Sequence, residues 1–149
     1  MAAKYSTGFR NAWLGTGDFK TIMAGMVLKA YTAPEPASAD DAKLGTLLCT
    51  YSTGGTGAGL ALGAPASGSL SKVSGDAWSG IAVASGTPAY FRWELPGDDG
   101  SASTTAVRIQ GKVGLLSDVT AQLGLSSLAI VNGAPQNLDA ASLTVPATV

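Results

Sequence analysis

The stretch from Asp76 to Leu95, DAWSGIAVASGTPAYFRWEL, constrains the fold more than any other part of the chain. Near its end, apolar Phe91 and Trp93 alternate with the polar residues Tyr90, Arg92 and Glu94. This is the period of a β-strand with one apolar and one polar face. We therefore expect Phe91 and Trp93 to face a core, and the polar residues of the strand to face solvent.

A second strand is predicted just before this one. Residues Trp78–Ala84 are small and apolar on both faces, as in a strand that is covered on both sides. Between the two strands, SGTP at Ser85–Pro88 is a turn signal. The two strands are therefore predicted to pair as a β-hairpin at the centre of a sheet.

Further short strands are predicted along the chain, separated by turns rich in Gly, Pro, Ser and Asp. The clearest are Met26–Ala33, Gly45–Ser52, Thr104–Val113 and Ala140–Val145, whereas Asp118–Ser127 fits a helical turn or an irregular loop. Eight or nine evenly spaced short strands are typical of an antiparallel β-sandwich or a jelly-roll-like barrel. The predicted fold class is all-β with short N-terminal helices.

The N-terminal residues predict two short helices, the first capped by Ser6 or Thr7 and the second by Asp18. Helices this short are marginal in isolation, so packing on the sheet, on a neighbouring subunit or on both must hold them. We accordingly divide the chain into a helical segment, residues 1–25, and a β-sandwich domain, residues 26–149. The residues predicted to form an interface are Phe9, Arg10, Trp13, Phe19 and Ile22.

The charge content indicates a protein that meets other proteins. Only 13% of the 149 residues are charged while 46% are hydrophobic, and a surface poor in charge suits either assembly or a compact domain with a Ser/Thr surface. The net charge of −1 argues against nucleic acid as a partner. The first 33 residues contain four cations, Lys4, Arg10, Lys20 and Lys29, but only one acidic residue, Asp18. This excess of positive charge is typical of a segment that docks on an acidic neighbour, but ordinary solvated side chains would give the same pattern.

The residues predict no catalytic, cofactor-binding or metal site. The chain has no histidine, which removes Ser-His-Asp and Cys-His arrangements and the usual His-bearing metal sites. Asp76, Asp98 and Asp99 could bind Ca²⁺ if their loops met. The alternative is that the Asp residues of PGDDG bond their own backbone in a turn. The one cysteine, Cys49, has no partner for an intramolecular disulfide and is predicted to be a small core residue. We therefore expect no enzyme.

A carbohydrate- or receptor-binding β-sandwich remains an alternative. It would require Tyr31, Tyr51 or Trp78 to lie exposed beside the glycine-rich stretch STGGTGAG, Ser52–Gly59. No apolar run approaches the roughly 20 residues that span a bilayer, and the N-terminus lacks the apolar core of a signal peptide. We expect no membrane partner, and a chain kept in the cytoplasm or packed into a particle assembled there.

Several motifs in order resemble small virion proteins of tailed bacteriophages. They are an STGxRNAxLG-like helix at Ser6–Gly15, PASAD at Pro36–Asp40 followed by GTLL, the stretch AxxWSGxxVASGTxxxFR near Ala77–Arg92, and VNGAP followed by LTVPA within Val131–Ala147. The resemblance runs nearly end to end and its motifs are those of a scaffold. The most similar role is that of a capsid decoration, or cement, protein.

The resemblance implies a function, partners and a location. A cement protein binds the outer face of the major capsid protein shell and bridges capsomers to stabilise the DNA-filled head. The implied partners are the major capsid protein and further copies of the chain, as a homodimer or homotrimer, and the implied location is the capsid surface of the virion. A tail or head–tail joining protein is the alternative role within the virion. No residue of known function carries over.

Overall fold

The computed structural model describes residues 3–138 and the backbone of residues 142–144. The other residues, among them Val145–Ala147 of the C-terminal motif, lie outside the described part. The helices and strands are β1 Lys4–Tyr5, α1 Thr7–Gly15, α2 Phe19–Ile22, β2 Val27–Tyr31, β3 Leu47–Thr53, β4 Ser69–Ser71, β5 Trp78–Ile81, β6 Tyr90–Glu94, β7 Ile109–Leu115, β8 Leu123–Leu125, β9 Pro135–Leu138 and β10 Ser142–Thr144.

The predicted all-β fold is confirmed. Eight strands form one sheet in the order β1-β7-β6-β2-β3-β5-β9, with β8 also paired to β7, and β4 and β10 form a separate two-stranded ribbon. All pairs are antiparallel except β7–β8. The stretch Asp118–Ser127, interpreted from the sequence as a helical turn or an irregular loop, instead contributes strand β8.

Side chains from strands that are not neighbours in the sheet meet in one core, as in a β-sandwich. Trp78 of β5 and Trp93 of β6 pack edge to face with ring centroids 5.9 Å apart. Yet β2 and β3 lie between their strands, and a flat sheet would separate them by about 14 Å at ~4.8 Å per strand. The enclosed core also holds Cys49, which is fully buried as predicted, and burial raises the pKa of its thiol to about 11.

The predicted helix caps are confirmed. The Ser6 hydroxyl accepts a hydrogen bond from the Phe9 amide at 3.0 Å, and the Asp18 carboxylate accepts one from the Thr21 amide at 2.8 Å. The first helix lies so close to the 105–106 backbone that a Cβ at Gly8 would stand 2.3 Å from the Thr105 carbonyl oxygen. Only glycine fits there, and the helix is therefore seated on the backbone that leads into β7.

The predicted hairpin is wrong. Strand β5 pairs with β3 and β9, whereas β6 pairs with β2 and β7. The connection crosses the end of the sheet instead: the Val83 amide bonds the Leu48 carbonyl at 2.8 Å, and the Ala89 amide bonds the Tyr31 carbonyl at 2.8 Å. The segment Ser85–Pro88 does connect β5 to β6, but the two strands do not pair because β2 and β3 lie between them in the sheet.

Candidate interaction site and buried ionic layer

The polar face of the central strands is covered by protein. Tyr90, Arg92 and Glu94, predicted to face solvent, are each 0% exposed, so that prediction is wrong. Two long loops, residues 32–46 and 95–108, lie over them. Tyr90 bonds the Leu44 backbone in the first loop, and the second loop is tied to the first where the Ser103 amide donates to the Asp40 carbonyl at 2.8 Å.

Strand register places cations side by side beneath these loops. Lys29 of β2 lies opposite Arg92 of β6, Arg92 lies opposite Gln110 of β7, and Gln110 lies opposite Lys4 of β1. Like charges directly opposite one another on a sheet are unfavourable. The positive charge of this row of side chains must therefore be balanced by carboxylates from outside the row, and the two loops supply some of these carboxylates.

Two carboxylates neutralise the centre of this buried ionic layer. Glu94 pairs with Lys29 at 2.8 Å and lies 3.8 Å from the Arg108 guanidinium. Asp98, from the second loop, accepts two hydrogen bonds from Arg108 at 2.6 and 2.7 Å. Burial raises the pKa of Asp98, but hydrogen bonds from Arg108 and the Gly100 amide outweigh it and the pKa is lowered.

Arg92 has no carboxylate of its own. Its Nε donates to Gln110 Oε1 at 2.9 Å and its Nη2 to the Asp41 carbonyl at 2.7 Å, while Nη1 has no hydrogen-bond partner among the described residues. Burial, together with the nearby charge of Arg108, lowers the pKa of Arg92. Because the side chain is fully enclosed, the layer holds the loops to the sheet and does not offer a surface to a ligand.

The carboxylates with candidate chemical roles are engaged in the fold. Asp98 and Asp99 accept the backbone amides of Gly100 and Ser101, each at 2.8 Å, as the turn chemistry predicted. Asp40 accepts both the amide and the hydroxyl of Thr7, at 2.8 and 2.7 Å. Within residues 3–138, no three His, Cys, Asp or Glu side chains lie together where they could hold a metal ion.

The aromatic residues that a sugar-binding site would need are also buried. Tyr31, Tyr51 and Trp78 are each at most 1% exposed. The condition that we set for a carbohydrate module, an exposed ring beside the glycine-rich stretch, is therefore not met by these three side chains. The described residues include no helix long and apolar enough to cross a membrane.

The five residues predicted to form an interface separate into two groups. Phe9 is 0% exposed and Phe19 is 7% exposed, and half-buried Ile22 packs against the same core. Arg10 is exposed, and Trp13 is 45% exposed. Residues 3–25 also add β1 to the edge of the sheet. The helical segment thus docks on its own sheet through Phe9 and Phe19, while Arg10 and about half of the Trp13 side chain beside them remain exposed.

The four cations near the N-terminus separate in the same way. Lys29 belongs to the buried layer, and Lys4 pairs with Glu35 at 2.9 Å. Arg10 donates to Thr7 Oγ1 at 2.8 Å and contributes to lowering the pKa of Asp40, but forms no ion pair within residues 3–138. Lys20 is exposed and has no side-chain hydrogen bond or ion pair in the same part of the chain.

A second exposed surface, which the sequence reasoning missed, lies at the β5–β9 end of the sheet. Ile81, Val83 and Val131 are 59%, 60% and 58% exposed. Ile81 lies opposite Pro135, and a bridge between Gly86 and Ile130 brings the connection after β5 beside the segment before β9. We call Ile81, Val83 and Val131 with their surroundings the neutral face.

The neutral face is formed by residues 81–86 and 130–135, which lie within two charge-free runs of the sequence. Residues 77–91 and 119–138 contain no Asp, Glu, Lys or Arg. These two charge-free runs were the available signal in the sequence. They could be recognised as one surface only after the strand pairing was known.

Comparison with known proteins identified no related protein. No family model matches the chain, and neither the curated proteins nor the solved structures include a match.

Proposed function

We propose that this chain is a virion structural protein of a tailed bacteriophage and that its role is that of a capsid decoration (cement) protein. It would bind the outer face of the major capsid protein shell, associate with further copies of itself as a homodimer or homotrimer, and bridge capsomers. The motif resemblance suggests the family, and the neutral face is the observation that carries the role.

The neutral face suits permanent protein contact. Covering a fully exposed Val or Ile side chain contributes roughly 1.5–3 kcal/mol, so each of these half-exposed side chains offers on the order of 1 kcal/mol. With no charge within the runs that form it, this surface neither repels a second copy nor requires a charged partner to be desolvated. Small gains of this kind become large when many linked copies bind one shell.

The buried ionic layer fits a passive role. It ties two long loops to the sheet through contacts that are shielded from solvent, so the protein presents a rigid body to its neighbours. Arg108 lies 3.8 Å from Glu94, Lys29 donates to the Asp98 carbonyl at 3.0 Å, and Arg92 donates to the Asp41 carbonyl at 2.7 Å. A cement protein resists outward pressure on the shell by bridging capsomers, and this requires rigid contacts without any moving catalytic part.

The proposal is tested on phage heads that lack this protein. We expect them to lose resistance to heat and osmotic shock, and to regain it when the purified chain is added. Val83→Asp, on the neutral face, should restore much less resistance than Val119→Asp, a matched change at a side chain that is 97% exposed elsewhere. Heads that are equally resistant without the protein would contradict the cement role.

Copy number separates the cement role from a tail or head–tail joining role. Hundreds of copies per particle indicate a decoration protein, whereas a ring of about six or twelve copies indicates a connector or tail component. Quantitative gel analysis of purified particles gives this number directly.

A further inference from the structure

Helices α1 and α2 each expose one cation beside an apolar groove, and neither cation forms an ion pair with a described residue. We call the exposed side chains of Arg10, Trp13, Leu14 and Lys20 the α1–α2 face. Among the described residues, Arg10, Trp13 and Leu14 line an open groove of about 410 Å³. A second groove, of about 240 Å³, runs between the end of α2 and residues 59–62 and is bordered by Lys20 and Met23. Each groove therefore has an apolar floor and one cation at its border.

The apolar anchor of this face is held in place before any partner arrives. The Trp13 ring packs against Phe9 at 5.5 Å, Phe19 at 6.1 Å and Tyr5 at 6.2 Å between centroids, yet remains 45% exposed. Leu14 beside it is 89% exposed. A large aromatic side chain that is already ordered loses little conformational entropy on binding, which is typical of residues that dominate an interface.

The charges on this face select the partner. Of the four cations in the first 33 residues, Lys4 and Lys29 form ion pairs, whereas the exposed Arg10 and Lys20 form none with a described residue. A two-fold contact of this face with itself would bring like charges together, which disfavours a second copy. Two cations on a chain of net charge −1 are also too few for a nucleic-acid surface.

We propose that the α1–α2 face binds an acidic segment of a partner protein, with an apolar side chain of that segment in the Trp13–Leu14 groove and its carboxylates against Arg10 and Lys20. This inference rests on the proposed function in that the partner is a shell subunit. It assigns the attachment to the α1–α2 face and leaves the neutral face for contacts between copies.

Selection from a library of short random peptides displayed on yeast tests the surface without shells. We expect the wild-type chain to enrich peptides that combine Asp or Glu with a large apolar residue. Arg10→Gln/Lys20→Gln should weaken their binding about tenfold, while Lys43→Gln, a matched exposed lysine on the loop side, should change it less than about twofold. Circular dichroism and melting curves check that every variant is folded.

Leu14→Ser provides a variant that is safe for the fold, since this side chain is almost fully exposed, and it should also weaken binding several-fold. The inference is overturned if no peptide is enriched, if the enriched peptides show no excess of acidic residues, or if they bind the Arg10→Gln/Lys20→Gln variant equally well. It is also overturned if oligo-dT or a second copy of the chain protects Trp13 from acrylamide quenching while the peptides do not.

Shells separate this inference from the proposed function. If the wild-type chain does not bind shells but the acidic peptides are enriched and depend on Arg10 and Lys20, the cement role fails and the surface stands. If shells bind the wild-type chain and the Arg10→Gln/Lys20→Gln variant equally, the cement role stands and the surface is wrong.

Discussion

Neutralising Glu94 should destabilise the fold far more than neutralising a carboxylate in a similar but partly exposed ion pair. Glu94 is 0% exposed and pairs with Lys29 at 2.8 Å. Glu35 pairs with Lys4 at nearly the same distance, 2.9 Å, but the two side chains are 18% and 28% exposed. The two pairs therefore differ mainly in burial, and Glu94→Gln and Glu35→Gln form a matched comparison.

The expected magnitude follows from the charges that remain. At 2.8 Å and an effective dielectric constant of about 20, the Lys29–Glu94 attraction is about 6 kcal/mol. Glutamine keeps the shape and part of the hydrogen bonding, but leaves Lys29, Arg92 and Arg108 with Asp98 as the one carboxylate of the central group. We expect Glu94→Gln to lower the free energy of unfolding by about 3–4 kcal/mol, against less than ~1 kcal/mol for Glu35→Gln.

Urea unfolding followed by tryptophan fluorescence measures this difference, because Trp78 and Trp93 lie in the core. With a slope of about 2 kcal/mol per M, the midpoint should fall by about 1.5–2 M for Glu94→Gln. Lys29→Met combined with Glu94→Gln should be less destabilising than the sum of the two single changes, because both charges of the pair are then gone. Equal, small losses for Glu94→Gln and Glu35→Gln would refute the electrostatic account of the layer.

Two further predictions concern the helix seat and the acid response. Gly8→Ala should lower the free energy of unfolding by about 2 kcal/mol or more, because its Cβ would stand 2.3 Å from the Thr105 carbonyl oxygen. Gly15→Ala, with open space around it, should be neutral or slightly stabilising. Thermal melts of the two variants measure the difference. The folded-state pKa of Asp98 lies below its unfolded value of about 3.9, so its contribution is complete above that pH and is lost as the pH falls through the folded-state pKa. Asp98→Asn should therefore remove part of the acid dependence of stability between pH ~4 and lower values, which unfolding at several pH values measures; an unchanged acid profile would mean that the pair with Arg108 contributes nothing to it.

Local features were predicted well because their causes are local. The Ser6 and Asp18 caps depend on side chains that reach amides three residues along the chain. The turn at Asp98 and Asp99 depends in the same way on amides two residues ahead. Periodicity likewise predicted β2, β3 and β7 to within a few residues at most ends.

Pairing and the candidate site were predicted less well because they depend on distant segments. The hairpin failed since nothing local indicates that β2 and β3 lie between β5 and β6. The interface residues were chosen as one group, and only the packing of α1 separates buried Phe9 from partly exposed Trp13. The neutral face joins two charge-free runs far apart in sequence, so it emerges only from the pairing of β5 with β9.

The sequence alone determined that this chain forms strands with capped helices at its start, because alternation, caps and turn residues act over a few neighbouring positions. The tertiary structure decided which face of each strand meets water. Arg92 and Glu94 read as solvent-facing residues, yet they are buried because the loops at 32–46 and 95–108 fold back over them, with Asp98 and backbone carbonyls compensating for the water they lose. The cost of burying a charge depends on partners that come from elsewhere in the chain, and no local pattern records them.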